Sequence, residues 1–154
     1  MMVSAAVVAQ DTELQVDDHI RRAMDAGQYE LATKIAISHF RPDLHCRVLV
    51  EQAAAQMRRA DQLIRAQPRL EGDRLNQARQ ALDQARELAA QADSAAHKYV
   101  ELGCDPDLPE EINRWVKRKL NPIEELQRLF DERTQLAIPL EQLMRSQEIT
   151  ADQI

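Results

Sequence analysis

Residues 73–102 read DRLNQARQALDQARELAAQADSAAHKYVEL, and the spacing of alanine and leucine in this stretch decides the fold. Leu75, Leu82, Ala89 and Ala96 recur every seventh residue. So do Ala78, Ala85, Ala92 and Tyr99, and so do Ala81, Leu88, Ala95 and Leu102. Seven residues are about two turns of α-helix, so each set forms a column along one face. Three adjoining apolar columns make a stripe wider than a two-helix seam, and more than one neighbour must cover it. Polar columns, Gln77-Gln84-Gln91-Lys98 and Gln80-Glu87-Ser94-Glu101, occupy the other side. Asp73 is placed to cap the first turn, Gly103 to end the helix in a left-handed conformation, and Pro106 to prevent a restart. At 1.5 Å per residue the helix is roughly 45 Å long.

Upstream, Asp43 opens a helix running to about Ala66. Leu49, Ala53, Met57, Ala60 and Ile64 keep the spacing of one face, with Leu44, Val48 and Leu63 beside it. Gln67-Pro68-Arg69-Leu70-Glu71-Gly72 breaks and turns the chain. Residues 43–102 are therefore expected to form a long antiparallel, coiled-coil-like hairpin rich in alanine and leucine, whose small facing residues let the backbones approach closely. The fold class is all-α, a helical bundle built on this hairpin, with no sheet.

Composition agrees. The 154 residues are one domain's worth of chain, 44% hydrophobic but only 3% aromatic. Alanine, leucine and glutamine suit close-packed helices and disfavour strands. Glycine occurs only at Gly27, Gly72 and Gly103, between helical patterns, which excludes a P-loop or a dinucleotide fingerprint. The formal net charge of −6, with the acid excess concentrated beyond residue 105, argues against non-specific binding to nucleic acid or anionic membrane. Cys46 and Cys104 are isolated and read as two thiols of a reducing cytoplasm.

Before the central hairpin, Met2, Val3, Val7 and Val8 make residues 1–12 an apolar N-terminal arm. It lacks the basic flank of a secretory signal and the ~20 apolar residues of a membrane span. The single helical domain is expected over residues 13–146. It opens with a hairpin, 13–40, in which Val16, Ile20 and Ala23 face Ala32, Ile35, Ala36 and Phe40 across a turn at Gly27. Here Ala26-Gly27-Gln28-Tyr29-Glu30-Leu31-Ala32 resembles the turn of a tetratricopeptide-type helix-turn-helix, with Pro42 near the position of that family's terminal proline. The likeness covers about residues 13–40, and no second copy follows at a 34-residue period. It implies a peptide- or protein-binding surface, with Tyr29 as a contact residue, and a hairpin that must lean on the rest of the chain.

After the rigid Cys104-Asp105-Pro106-Asp107-Leu108-Pro109 connector, helices are expected over 109–120 and 122–146. The first holds Ile112, Trp115, Val116 and Leu120. The second begins at Asn121-Pro122-Ile123-Glu124 and kinks at Pro139. Residues 147–154 form an acidic tail.

Catalytic patterns are missing. His39, His45 and Cys46 lie near one another but lack a fourth zinc ligand. Asp93 and His97 share a polar face without a third partner, no Glu-x-x-His pair occurs, and no serine or cysteine sits in an activating motif. We therefore expect no enzyme, metal or cofactor. Two basic clusters, Arg58/Arg59/Arg65/Arg69 and Lys117/Arg118/Lys119, offer the alternative of a nucleic-acid-associated helical protein. Neither interleaves aromatic residues as nucleic-acid platforms do. The expectation is a non-enzymatic protein–protein interaction module, an adaptor, inhibitor or assembly chaperone, cytoplasmic and self-associating as a homodimer. Its partner surface is placed at Trp115, Lys117, Arg118, Lys119 and Tyr29.

Overall fold

A computed structural model describes residues 5–135, with side chains over 14–134. The first residues of the arm, the expected kink at Pro139 and the acidic tail lie outside the described residues. Six helices, and no strand, occur among the described residues: α1 Ala5–Asp25, α2 Tyr29–Ser38, α3 Pro42–Arg65, α4 Gly72–Glu101, α5 Leu108–Lys119 and α6 Ile123–Gln135. None of them is long and apolar enough to cross a membrane. The protein is all-α.

Helix boundaries follow local chemistry, with differences from the sequence reading. α1 starts eight residues before Glu13, so residues 5–12 of the expected arm are helical backbone. α4 begins at Gly72, and Glu71, in extended conformation, occupies the N-cap; Asp73 lies inside the first turn, where its charge meets the positive helix end. α3 likewise starts at Pro42, whose fixed φ and missing N–H suit a first helical turn. Gly103 ends α4 at φ 90°, as its position implied, and Gly27 ends α1 at φ 75°.

The apolar residues collect in two cores. The larger takes Cys46, Val50, Ala53, Met57, Ala60 and Ile64 from α3, and Ala78, Ala81, Leu82, Ala85, Ala92 and Ala96 from α4. Leu108, Ile112 and Leu120 close it from α5 and its C-cap, Leu126 and Phe130 from α6, and Leu70 from the linker. In α4 the middle column, Ala78, Ala85 and Ala92, is fully buried, while Leu75, Leu88 and Ala95 on the flanks are half-buried. Ala81, Leu82 and Ala96 of the same flanking columns are buried as well, so α3, α5 and α6 together cover the stripe. The first turn of α3 meets the last turn of α4, where His45 Nδ1 lies 2.7 Å from Tyr99 Oη.

The smaller core joins Val16, Ile20 and Ala23 of α1 to Ala32 and Ala36 of α2 and to Val48 of α3. α3 is therefore apolar on two sides, one for each core. The spacing alone places Val48 beside the seam; the structure instead turns Val48 towards α1 and α2 and puts Cys46 and Val50 into the seam. At the far end Arg133 of α6 donates through Nη1 to the Ile64 carbonyl, and to that of Gln67 at 3.0 Å. The Leu70 N–H donates to Arg133 O at 3.4 Å. α6 thus satisfies carbonyls that the end of α3 leaves open.

Candidate functional site

α5 is short, acidic in its first turn and basic in its last. Leu108 and Ile112 anchor it in the larger core, so the residues one turn further on, Trp115 and Val116, reach the margin and are half-buried. Helical spacing then brings Arg118 and Lys119, three and four residues on, back over the indole. Arg118 Cζ lies 5.6 Å and Lys119 Nζ 5.1 Å from the ring centroid. A third cation comes from α3, with Arg47 Cζ at 5.5 Å. Each such contact contributes about 0.5–1 kcal/mol where water is near.

Two of the three cations are also held by carboxylates. Lys119 pairs with Glu51 at 3.1 Å and Arg47 with Glu111 at 3.2 Å, which stitches α5 to α3 on both sides of the tryptophan. Arg118 and Lys117 are exposed. Trp115 Nε1 is buried without a hydrogen-bond partner among the described residues, a donor held out of water. Beside the ring a cleft of about 250 Å³ runs between α1, α3 and α5, floored by Ile20, Met24, Leu44 and Val48 and edged by Asp17, Arg21 and Glu51. Trp115 therefore lies where the two cores meet.

The structure brings Trp115, Arg118 and Lys119 together and adds Arg47. Lys117 stands beside them but outside the ring contacts. Tyr29 is elsewhere: it is half-buried against the smaller core and lines a separate cleft of about 640 Å³ with Glu30, Lys34, Gln52 and Gln56. The second basic cluster is partly neutralised, Arg65 by Asp61 on its own helix and Arg69 by Glu71 at 3.1 Å, while Arg58 and Arg59 are exposed on α3.

Near the other end of α5 lies the pair formed by His45 and Tyr99. Burial lowers the His45 pKa and raises that of Tyr99, to which the nearby Cys46 and Cys104 thiols add. Both shifts favour neutral partners, which share a hydrogen bond between Nδ1 and the phenol oxygen. Cys46 is buried beside them, its thiol pushed up to about 11 by burial and, secondly, by Asp43. Asp93 and His97 meet on the exposed face of α4, with His97 Nδ1 2.8 Å from the Asp93 carbonyl oxygen and 3.5 Å from its carboxylate. No group of three His, Cys, Asp or Glu side chains converges among the described residues. No protein-family model, curated protein or solved structure matches the chain.

Proposed function

We propose that the protein is a non-enzymatic interaction module, an adaptor, inhibitor or assembly chaperone, that binds another protein through the Trp115 face. In this reading α3 and α4 form a long antiparallel, coiled-coil-like hairpin. The buried α3 series steps by four and three residues alternately, the rhythm of knobs packing into holes. The hairpin is a rigid base, and α5 is the element it displays. The observation that carries the proposal is the half-buried indole ringed by Arg47, Arg118 and Lys119 beside a partly apolar cleft. Tryptophan and arginine are the residues that interface hot spots favour. Arg118, the one of the three cations that no carboxylate of the described residues holds, suits a partner segment that brings a carboxylate to the rim and an apolar side chain to the cleft. The tetratricopeptide-like turn at Tyr29 and a homodimer in the cytoplasm are part of this proposal.

The test pairs affinity purification from native cells with stability measurements. Trp115→Ala should weaken partner binding by about 2 kcal/mol or more at a small change in melting temperature. Arg118→Glu should weaken it with no change in melting. If Trp115→Ala instead destabilises the fold by about 3–5 kcal/mol and Arg118→Glu leaves binding intact, the indole is a core plug and the proposal fails.

A further inference from the structure

Three helices of this chain end in the same way. Gly27 after α1, Phe40 after α2 and Gly103 after α4 have φ of 75°, 49° and 90°. In each, two amides turn back into the helix. Gly27 N donates to Met24 O at 2.9 Å and Gln28 N to Ala23 O at 2.8 Å; Gly103 N donates to Val100 O at 3.0 Å and Cys104 N to Tyr99 O at 2.9 Å. Phe40 N donates to Ile37 O at 3.0 Å and Arg41 N to Ala36 O at 2.8 Å. This closure favours glycine, because a left-handed backbone crowds a Cβ. α2 uses an aromatic residue there instead, and leaves it 65% exposed.

The Phe40 ring stands edge-on against Tyr99, at 6.3 Å between centroids and 86° between planes, and Tyr99 is braced in turn by His45. Ile37, one turn before Phe40, is 52% exposed, and Leu102, one turn after Tyr99, is 72% exposed. Of the five large apolar residues that stand out from the described surface, three are therefore at this end. Next to Phe40 opens a groove of about 500 Å³, floored by Pro42 and Leu108 and rimmed by Asp43, Asp105 and Glu111. Arg47 reaches Glu111 and Arg41 reaches Asp43 at 3.6 Å, but Glu101, Asp105 and Asp107 stand exposed around the same end.

We propose that this groove is a second docking surface, distinct from the Trp115 face, that takes a basic segment of another protein. The segment inserts an apolar side chain beside Phe40 and sets Lys or Arg against Asp105 at the rim and the neighbouring Glu101 and Asp107, which no cation of the described residues holds. The sign of the rim selects this occupant. Nucleic acid and anionic lipid are repelled by it. The backbone of Phe40 points the same way, since strain kept at an exposed aromatic residue is a mark of function.

Two short amphipathic peptides serve as probes on the full chain, one of leucine and lysine and its twin with glutamate in place of lysine. The lysine peptide should bind, more weakly as salt rises, and should shift the amide resonances of Phe40, Leu102 and Leu108; the twin should not bind. Phe40→Gly removes the ring and relieves the backbone, so it should lower peptide affinity about thirtyfold, the scale of a hot spot, without lowering the melting temperature. Arg118→Glu should leave peptide affinity unchanged, which separates this groove from the Trp115 reading. The proposal is overturned if the lysine peptide fails to bind, if the twin binds equally, or if Phe40→Gly binds like the parent. It is equally overturned by shifts centred on Trp115, or by sedimentation showing Phe40-dependent self-association, which would make the occupant a second copy.

Discussion

Ala85→Leu tests the seam between α3 and α4 by the sign of its effect. Ala85 is fully buried, in the α4 column that also buries Ala78 and Ala92. Leucine adds three carbons. Were there a void to receive them, each would add about 0.8 kcal/mol of burial, and the variant would gain roughly 2 kcal/mol. An interior packed as closely as a crystal has no such void. The side chain must then leave its rotamer or push α3 away, at about 1–3 kcal/mol. For a chain of this length each kcal/mol moves the melting temperature by about 2–4 °C, so the variant should melt roughly 2–12 °C lower. Urea titration followed by helical circular dichroism measures the difference directly. Ala90→Leu, on the exposed side of the same helix, is the control and should stay within about 0.5 kcal/mol of the parent. An Ala85→Leu protein as stable as the parent, or more so, would mean that the α4 column does not pack closely on α3.

Arg133→Ala should destabilise the fold by about 1.5–3 kcal/mol in the same titration, because its guanidinium is the charged donor to the Ile64 and Gln67 carbonyls; an effect under 0.5 kcal/mol would make that cap ornamental. Alkali should weaken the fold through Cys46 and Tyr99, whose protons the folded state holds more tightly. Cys46 moves from 9.0 to about 11, so its contribution is complete below pH 9 and disappears as pH rises through 11. Cys46→Ala should flatten that fall only in part, since Tyr99 shifts in the same direction. On the acid side the sign reverses: the depressed pKa of His45 means its contribution, whole above 6.5, is lost as pH falls below that value. A urea midpoint level across both ranges would contradict these assignments.

The all-helical class was legible because α4 writes its burial in sevens, and because Gly27 and Gly103 punctuate the pattern where the chain turns left-handed. α3 was legible only in part. Leu44, Cys46, Val48, Leu49 and Val50 lie almost all round its first turns, and a helix apolar on every side does not announce which neighbour covers which side. The Trp115 site was half legible. Arg118 and Lys119 come to the indole by helical spacing, which can be counted, whereas Arg47 arrives from α3 through tertiary packing, which cannot. Arg133 was not legible at all, because its role depends on α6 ending beside the carbonyls of a helix far earlier in the chain. Phe40 looked like an ordinary apolar position of α2. Its left-handed backbone is invisible in the sequence, because that conformation is signalled by glycine or asparagine and here neither is present.

The two-sidedness of α3 makes it the shaft through which the halves of the molecule feel each other. The α1–α2 hairpin rests its core on Val48, while the same helix, two residues either way, grips α4 with Cys46 and Val50. A twist of α3 by a fraction of a turn cannot improve one grip without loosening the other. Trp115 sits at the edge of both, at the cleft floored by Ile20 and Val48.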